Sequence, residues 1–380
     1  MEMHVLGSHR ARWLPNGTVA YEAMNQAVDA ANSSVRLESY VFRAPGPGRR
    51  LLDSLLRARR RGVAVTLLLD AFGTDDLPPG YFQALLEAGA SLQYFNPSRW
   101  LRRSFRDHRK LLICDERTAV IGGFNIGPEY EGDGVSRGWR DLGMVLEGPA
   151  VAELARSFDR MFAVAPFTPR LLHLLRVRLR RRVEHFPLAA VTVVTSGPGW
   201  GQRRLRHLVL RDLRTAGSVA IMAAYFVPAR VIRRALTRCV ERGASVRLLL
   251  PGRSDVPLAK LAGEHLYRRL LARGVEIHEY QPQILHAKLL LIDDVLYVGS
   301  CNLDRRSFEI NFELLVRLDW PALAIEARQF FAQDLQHSRQ ISALQWGASL
   351  HWWQRLRRRM AYWLLAYLDP LIASGKTRQF

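Results

Sequence analysis

Apolar residues along the chain fall into short runs, and stretches with helical periodicity separate these runs. Residues 35–42 and 63–70 are two such runs, and the helical stretch between them ends at Gly62. Glycine after the last turn of a helix is a capping signal, and continuous apolar runs are typical of strands buried on both faces. This alternation predicts α/β lobes built as α-β-α layers, with mixed and mostly parallel sheets.

The second half of the chain repeats this pattern. An apolar run at residues 219–227 is followed by a helical stretch that ends at Gly243. Gly62 and Gly243 are 181 residues apart, and His108 and His286, which begin two similar segments, are 178 residues apart. Near-constant offsets indicate an internal duplication. We therefore predict two related lobes that pack across a pseudo-twofold axis.

These patterns divide the chain into four segments. An N-terminal lobe is predicted for residues 1–168, and a C-terminal lobe is predicted for residues 191–340. Between them, leucines recur at helical spacing among arginines, which predicts a basic linker helix over residues 169–190. Tryptophans and other apolar residues recur every three or four positions among arginines over residues 341–380, which predicts an amphipathic tail.

Composition narrows the class of protein. Apolar residues make up 48% of the 380 residues and charged residues 24%, which excludes a wholly disordered chain. Three cysteines without a C-x-x-C pair do not fit a disulfide framework or a zinc ribbon. The longest apolar runs have nine residues, whereas a membrane-spanning helix needs about 20. Together with a start that lacks the apolar core of a signal peptide, this predicts a cytoplasmic protein.

The charge of the chain indicates the kind of partner. Lys and Arg number 55 against 35 Asp and Glu, so the formal net charge is +20. Charge alone leaves open nucleic acid, an anionic membrane surface and a phosphate-bearing substrate. The tail favours the membrane, because tryptophans beside arginines are typical of a helix at a lipid interface. Packing of the tail against the lobes is the alternative.

Two copies of one polar motif carry the candidate chemistry. Each copy has the pattern H-x-K-x4-D, and a glycine follows the aspartate after seven residues in the first copy and six in the second. Residues two apart on a strand share a face, so each histidine points the same way as its lysine. The candidate site residues are His108, Lys110, Asp115 and Asn125 from the first copy and His286, Lys288, Asp293 and Asn302 from the second.

Two such sets that face each other suit in-line displacement at a phosphodiester. One imidazole attacks phosphorus and forms a phosphohistidine, while the other protonates the departing alcohol and then activates an incoming hydroxyl. The lysines and the asparagine amides stabilise charge on the phosphate oxygens, so we expect neither a metal nor another cofactor. The symmetric motifs leave open which histidine is the nucleophile.

Carboxylates are expected to orient the histidines through the second ring nitrogen. Asp141 is the candidate partner of His108, and Glu313 is the candidate partner of His286. The motif aspartates either take part in the chemistry or hold the turn that follows each motif strand.

The chain resembles members of the phospholipase D superfamily, which carry two such motifs, and within it the chain is most similar to bacterial cardiolipin synthases. The resemblance covers about residues 14–335 and includes the stretches 38–42, 61–63, 225–228, 242–247, 285–288, 299–304, 306–308 and 311–313. It implies transphosphatidylation between two phospholipids with release of a headgroup alcohol, and it favours His108 as the nucleophile. Gly123 stands where serine is frequent. The usual pair of N-terminal membrane helices is not present in this sequence, which resembles the shorter, peripheral synthases.

We therefore expect a monomeric enzyme, peripheral on the cytoplasmic side of the bacterial inner membrane. Its expected partners are the membrane surface and anionic phospholipids such as phosphatidylglycerol, with phosphatidylethanolamine as a further candidate; nucleic acid is not expected. An alternative enzyme is a phospholipase D or nuclease that passes the intermediate to water, which the motifs do not distinguish from an alcohol. A non-catalytic basic membrane scaffold and a DNA-binding module are the alternatives from other classes.

Overall fold

A computed structural model describes residues 2–97, 105–165, 189–197, 202–348 and 351–368 of the chain. Within these ranges the chain forms two lobes, each built around an eight-stranded sheet. The predicted basic linker helix lies outside the described residues, apart from its last two positions. Among the helices that are described, none combines the length and the hydropathy that crossing a membrane requires.

The first lobe contains eight strands and four α-helices. The strands are β1 (His4–Leu6), β2 (His9–Leu14), β3 (Ser34–Ser39), β4 (Ala64–Asp70), β5 (Ser91–Phe95), β6 (Leu111–Cys114), β7 (Thr118–Gly122) and β8 (Gly143–Glu147). The helices are α1 (Gly17–Ala30), α2 (Pro47–Arg60), α3 (Gln83–Glu87) and α4 (Ala150–Val164), with a short 3-10 helix at Pro128–Tyr130.

The second lobe contains ten strands, two of which form a separate small pair. The strands are β9 (Val191–Ser196), β10 (Ser218–Met222), β11 (Phe226–Val227), β12 (Ser245–Pro251), β13 (Glu276–Tyr280), β14 (Leu289–Ile292), β15 (Val295–Gly299), β16 (Leu303–Asp304), β17 (Glu313–Asp319) and β18 (Ser338–Gln340). The helices are α5 (Gln202–Asp212), α6 (Arg230–Glu241), α7 (Pro257–Leu271), α8 (Arg305–Glu309), α9 (Pro321–Gln336), α10 (Ala343–Ala348) and α11 (Trp352–Trp363), which continues as a π-helical turn at Leu364–Leu368.

The two sheets have the same topology. Strands follow the order β2-β8-β7-β6-β3-β4-β5 in the first sheet and β9-β17-β15-β14-β10-β12-β13 in the second, with β1 and β18 added at opposite ends. Where a strand pair of the first sheet is parallel, the corresponding pair of the second sheet is also parallel, and the same holds for the antiparallel pairs. The predicted duplication of an α/β lobe is therefore confirmed.

The sheets are mixed, as predicted, but the expectation that they are mostly parallel is wrong. In each sheet only two neighbouring pairs are parallel, namely β3–β4 and β4–β5 in the first and β10–β12 and β12–β13 in the second. The motif strands β6 and β14 turn directly into β7 and β15 as hairpins. A hairpin is antiparallel, whereas a parallel pair needs a longer crossover such as a helix.

The lobes share a hydrophobic core. Trp13 on β2 is fully buried, and its indole N–H donates to the carbonyl of Leu323 on α9 at 3.1 Å. The same ring meets Phe330 of that helix edge-on at 5.8 Å between centroids. One cluster of buried apolar residues extends through both sheets. Because protein interiors are close-packed, this shared core holds the two lobes in one relative position.

Candidate active site

The two histidine-bearing segments lie at the interface between the lobes. The backbone N–H of His108 donates to the carbonyl of Phe312 at 3.0 Å, and that of His286 donates to the carbonyl of Arg140 at 2.7 Å. Each segment thus binds the backbone of the opposite lobe before it enters its motif strand. The two sets of side chains lie near one another, since the charges of His286 and Lys288 act on His108 and the backbone of each histidine segment binds the lobe that carries the other. We call the buried space between them the cleft.

Each histidine contacts a carboxylate of the opposite lobe. The two carboxylate oxygens of Glu313 lie 3.0 and 3.1 Å from Nδ1 of His108. Asp141 Oδ2 lies 2.6 Å from Nδ1 of His286. The predicted pairing within each lobe, Asp141 with His108 and Glu313 with His286, is wrong, although both carboxylates do lie in the site.

Backbone hydrogen bonds across the lobe interface explain why each histidine is paired with a carboxylate of the opposite lobe. Glu313 directly follows Phe312, the residue whose carbonyl binds the first histidine segment. Asp141 directly follows Arg140, whose carbonyl and N–H bind the second histidine segment. Each carboxylate is therefore carried to the histidine of the other lobe by the backbone pairing that joins the lobes.

Glu313 and Asp141 accept hydrogen bonds from different kinds of neighbour. The hydroxyl of Ser300 donates to Glu313. The corresponding residue of the first lobe is Gly123, where an added Cβ would lie only 2.1 Å from Oδ1 of Asp141. That oxygen instead accepts from the backbone N–H of Leu142 at 2.8 Å. Glycine in the first copy thus leaves the space that Asp141 occupies, which gives a physical reason for the departure from the frequent serine.

Both motif lysines are buried in the cleft. Lys110 Nζ donates to the carbonyl of His108 at 2.6 Å, and Lys288 Nζ lies 2.7 Å from Nδ1 of His286. Burial lowers the pKa of Lys110 to about 7, with Glu313 opposing the shift and Lys288 adding to it. Burial also lowers the pKa of Lys288. An anionic phosphate in the cleft would favour the charged form of both. Among the described residues, no group of three or more His, Cys, Asp or Glu side chains could hold a metal ion.

The cleft favours neutral imidazoles. Burial lowers the pKa of His108 well below its usual range, and Lys110 and Lys288 lower it further. Burial and Lys288 also lower the pKa of His286. Burial raises the pKa of Glu313 to about 8, against the effect of Lys110. A neutral imidazole has the free lone pair that nucleophilic attack requires.

Aromatic rings surround both histidines, and sequence reasoning did not assign them to the site. Tyr40 lies edge-on to His108 at 5.0 Å between ring centroids. Tyr130 and Trp139 lie 5.1 and 5.5 Å from His286. Tyr40 lies in the stretch 38–42, which carries part of the family resemblance, so the sequence could have indicated that Tyr40 belongs to the site. Tyr130 and Trp139 belong to neither motif, and only the fold brings them to the histidine.

The motif asparagines are buried beside the cleft. Asn125 donates from Nδ2 to the hydroxyl of Tyr130 at 2.6 Å, and its Oδ1 accepts from the backbone N–H of Val41 at 3.2 Å. Asn302 Oδ1 has no hydrogen-bond partner among the described residues. Asn125 thus positions an aromatic residue of the site, and the role of both asparagines as phosphate donors stays a prediction.

The motif aspartates lie at the far end of β6 and β14 from the histidines. Both have positive φ, 55° for Asp115 and 49° for Asp293, as tight turns require. Their carboxylates accept hydrogen bonds from the backbone N–H groups of Asn32, Ser33 and Ser34 for Asp115, and of Gly217 and Ser218 for Asp293. Of the two roles left open by the sequence, this geometry supports the turn, and the assignment of the aspartates as catalytic residues is not supported.

A histidine and a lysine from each of two pseudo-symmetric lobes, brought to one buried cleft, define the architecture of the phospholipase D class. The model of the family described as "Cardiolipin synthase, PLD-like domain" matches residues 24–162 and 209–335. The chain belongs to this family.

Named relatives agree with this assignment, and a solved structure shares the fold. Cardiolipin synthase A of Pseudomonas aeruginosa (strain UCBPP-PA14) is 36% identical over 320 residues, which cover 82% of this chain and 64% of that protein. Cardiolipin synthase 1 of Bacillus anthracis is 29% identical over 383 residues, which cover 94% of this chain and 72% of that protein. The phosphatidylserine synthase of Haemophilus influenzae Rd KW20 has a TM-score of 0.73 at 12% identity, over 97% of this chain and 94% of that chain. This last likeness confirms the predicted fold class.

Proposed function

We propose that this chain is a phosphatidyltransferase of the cardiolipin synthase type, which passes a phosphatidyl group from one phospholipid to a hydroxyl of another. The observation that carries the proposal is the pair of histidines in one cleft, each held by a carboxylate of the opposite lobe and each beside a buried lysine. The similarity to proteins named cardiolipin synthase over most of the chain supports phospholipids as both donor and acceptor.

The first half-reaction transfers the phosphatidyl group to the protein. Nε2 of one imidazole attacks phosphorus, so that a P–N bond forms and the bond from phosphorus to the headgroup oxygen breaks. The departing oxygen takes a proton from the second imidazole, and the headgroup leaves as an alcohol, which is glycerol when the donor is phosphatidylglycerol. Contacts of Glu313 and Asp141 with Nδ1 of the rings support this step, because they direct Nε2 toward the substrate.

The second half-reaction regenerates the histidine. The acceptor hydroxyl gives its proton to the second imidazole and attacks phosphorus, so that a P–O bond forms and the P–N bond breaks. The ammonium groups of Lys110 and Lys288 stabilise the charge on the phosphate oxygens. The rings of Tyr40, Tyr130 and Trp139 around the histidines limit the access of water, which favours an alcohol over water as the acceptor.

We assign the nucleophile to His108 and the acid to His286. The low pKa of His108 supports a neutral ring, since burial and two lysines act on it in the same direction. Burial and Lys288 lower the pKa of His286, but Asp141, only 2.6 Å away, opposes that lowering and so makes His286 a better proton carrier than the same ring without a carboxylate. The assignment predicts that a phosphohistidine accumulates on His108.

We further propose a monomer that works at the cytoplasmic surface of a bacterial inner membrane. Both histidines and both carboxylates come from one chain, so a single copy holds a complete set of site residues. The net charge of +20 supports attraction to anionic phospholipids.

Vesicles that contain phosphatidylglycerol with a radioactive phosphate test the reaction. Thin-layer analysis should show labelled cardiolipin and the release of glycerol in equal amounts, while H108A and H286A should both be inactive. H207A, which removes an exposed histidine of α5, is the matched control and should keep the full rate. Phosphatidic acid as the main product, or cutting of plasmid DNA without lipid turnover, would contradict the proposal.

Rapid quenching in base tests the intermediate. The label should stay on the wild-type protein in base and be lost in acid, as expected for a P–N bond. H286A should form this species slowly and H108A should not form it. Label that forms on H108A would overturn the assignment of the nucleophile.

A further inference from the structure

Helix α11 (Trp352–Trp363) has two faces in different environments. On the inner face, Arg358 Nε donates to Glu264 on α7 at 2.6 Å. Ala361 is buried, and the ring of Tyr362 stacks on His265 of the same helix at 4.8 Å between centroids. The tail is therefore folded against the second lobe along one side.

The outer face of this helix is apolar and uncovered. Trp352 is 75% exposed and Met360 is 62% exposed. Residues that recur every three or four positions share one side of a helix, and here the series continues into the π-helical turn. We call this surface the apolar stripe; it consists of Trp352, Leu356, Met360, Trp363 and Tyr367, and all five side chains are exposed. A contiguous apolar surface on a folded protein marks an interaction site.

Positive charge is exposed on α11 and on the neighbouring helix α6. Arg357 and Arg359 are exposed on α11 itself. Helix α6 lies beside α11, because the guanidinium of Arg233 lies 5.5 Å from the ring of Tyr362. That helix adds three exposed arginines: Arg230, Arg234 and Arg238. Exposed apolar side chains together with exposed arginines match a bilayer with anionic headgroups, whereas a second copy of this chain would bring like charges together.

The described part of the tail runs along α7 and reaches a segment next to the second motif. Near the end of α7, Trp346 contacts Tyr267 at 4.9 Å between ring centroids. In the π-helical turn, the carbonyl of Ala366 accepts a hydrogen bond from Arg305 Nη1 at 2.5 Å. Arg305 begins helix α8, only three residues after Asn302 of the second motif. The π-helical turn therefore lies beside the helix that directly follows the second motif.

We propose that α11 and the π-helical turn dock this protein on an anionic bilayer and place the mouth of the cleft against the lipid headgroups. The apolar stripe enters the interfacial region, and the arginines of α6 and α11 bind the headgroup phosphates. The identity of the lipid that reaches the cleft rests on the proposed function, whereas docking does not, so the two are tested separately.

Binding is measured with H108A, so that no lipid is consumed, by flotation with phosphatidylcholine vesicles that contain or lack phosphatidylglycerol. Adding M360N and W363N should lower the partition coefficient on the anionic vesicles about tenfold or more, because two apolar side chains no longer enter the lipid. The matched control is V5N with I325N, two apolar side chains that are 65% and 53% exposed away from the tail. The control should stay within about twofold of the parent.

Two further measurements separate docking from a defect in folding. Brominated phospholipids should quench the tryptophan emission of H108A, and W352F with W363F should remove most of the quenching. In the catalytically intact protein, M360N with W363N should lower turnover on vesicles while turnover of short-chain phosphatidylglycerol below its micelle concentration stays the same.

The outcomes separate the two proposals. Equal vesicle binding by the stripe variant and its parent, or emission that brominated lipid does not quench, would overturn the docking surface. Equal losses on vesicles and on the soluble lipid would also overturn it, because the tail would then support the site itself. Stripe-dependent binding without cardiolipin synthesis would support the docking surface and refute the proposed function.

Discussion

Replacing Gly123 with alanine tests the structural account of the cross-lobe pair at His286. The added methyl group would lie 2.1 Å from Oδ1 of Asp141 and 2.8 Å from its carboxyl carbon. Ordinary contact between such atoms is about 3.5 Å. Asp141 is fully buried and must therefore move by about 1.4 Å within a packed interior to restore ordinary contact.

The expected loss of activity follows from the Asp141–His286 hydrogen bond that this movement breaks. Asp141 Oδ2 lies 2.6 Å from Nδ1 of His286, so a displacement of this size takes the pair out of ideal hydrogen-bond geometry. Loss of a partner that orients a functional histidine reduces activity roughly 10- to 100-fold. The extra methyl group should also lower the free energy of unfolding by about 1–3 kcal/mol through overpacking.

The assay is phosphatidyl transfer on vesicles, expressed per folded molecule from the unfolding curve in urea. G217A is the matched control, since the nearest atom to its added Cβ is 3.6 Å away, in ordinary contact. We expect G123A to lose rate and G217A to keep it. A folded G123A that transfers at the wild-type rate would refute the reasoning, as would an equal loss in G217A.

Three other substitutions address the lobe interface, the buried charge and the turn. E313Q keeps the shape of the partner of His108 but removes the ionisable carboxyl that can balance the positive charge which the ring gains on attack, so formation of the phosphohistidine in rapid-quench experiments should slow about 100-fold; an unchanged rate would contradict the cross-lobe role. K110M removes an ammonium whose pKa falls from 10.5 to about 7 on folding, so it should abolish transfer yet raise the free energy of unfolding by about 4–5 kcal/mol at pH 7 and below. That gain should shrink as the pH rises toward 10.5, because the lysine is then neutral in both states; a gain independent of pH would refute the burial argument. D115A should lower the free energy of unfolding by about 1–3 kcal/mol without changing transfer per folded molecule. Backbone hydrogen bonds, against the effect of burial, lower the pKa of Asp115 to about 2. The contribution of Asp115 to the free energy of unfolding should therefore be present above pH 4 and disappear as the pH falls toward 2. A difference between the urea midpoints of D115A and the wild type that stays constant over this range would contradict the prediction.

Local patterns were sufficient to predict the duplicated fold. Apolar runs between glycine-capped helices marked β3, β4 and β10, because burial and capping depend on residues close in sequence. The spacing of His108 and Lys110, repeated in His286 and Lys288, predicted that each pair lies on a strand, whereas the structure places both pairs in the segments just before β6 and β14. The turn and the returning strand after each motif strand were expected, and the hairpins β6–β7 and β14–β15 confirm them. The predominance of antiparallel pairs in the whole sheets was not expected, since short apolar runs do not reveal in which direction neighbouring strands run.

The sequence by itself determined that two copies of one α/β lobe each carry a histidine and a lysine at the same place. Only the tertiary structure decided that Glu313 serves His108 and Asp141 serves His286, that Gly123 leaves room for a carboxylate, and that the tail has one packed and one exposed face. The periodicity of a segment reports which of its residues are buried together, but it carries no information about which surface of another lobe they meet. Partners that come from opposite lobes depend on the docking of whole surfaces, and that is settled by the packing of the complete core.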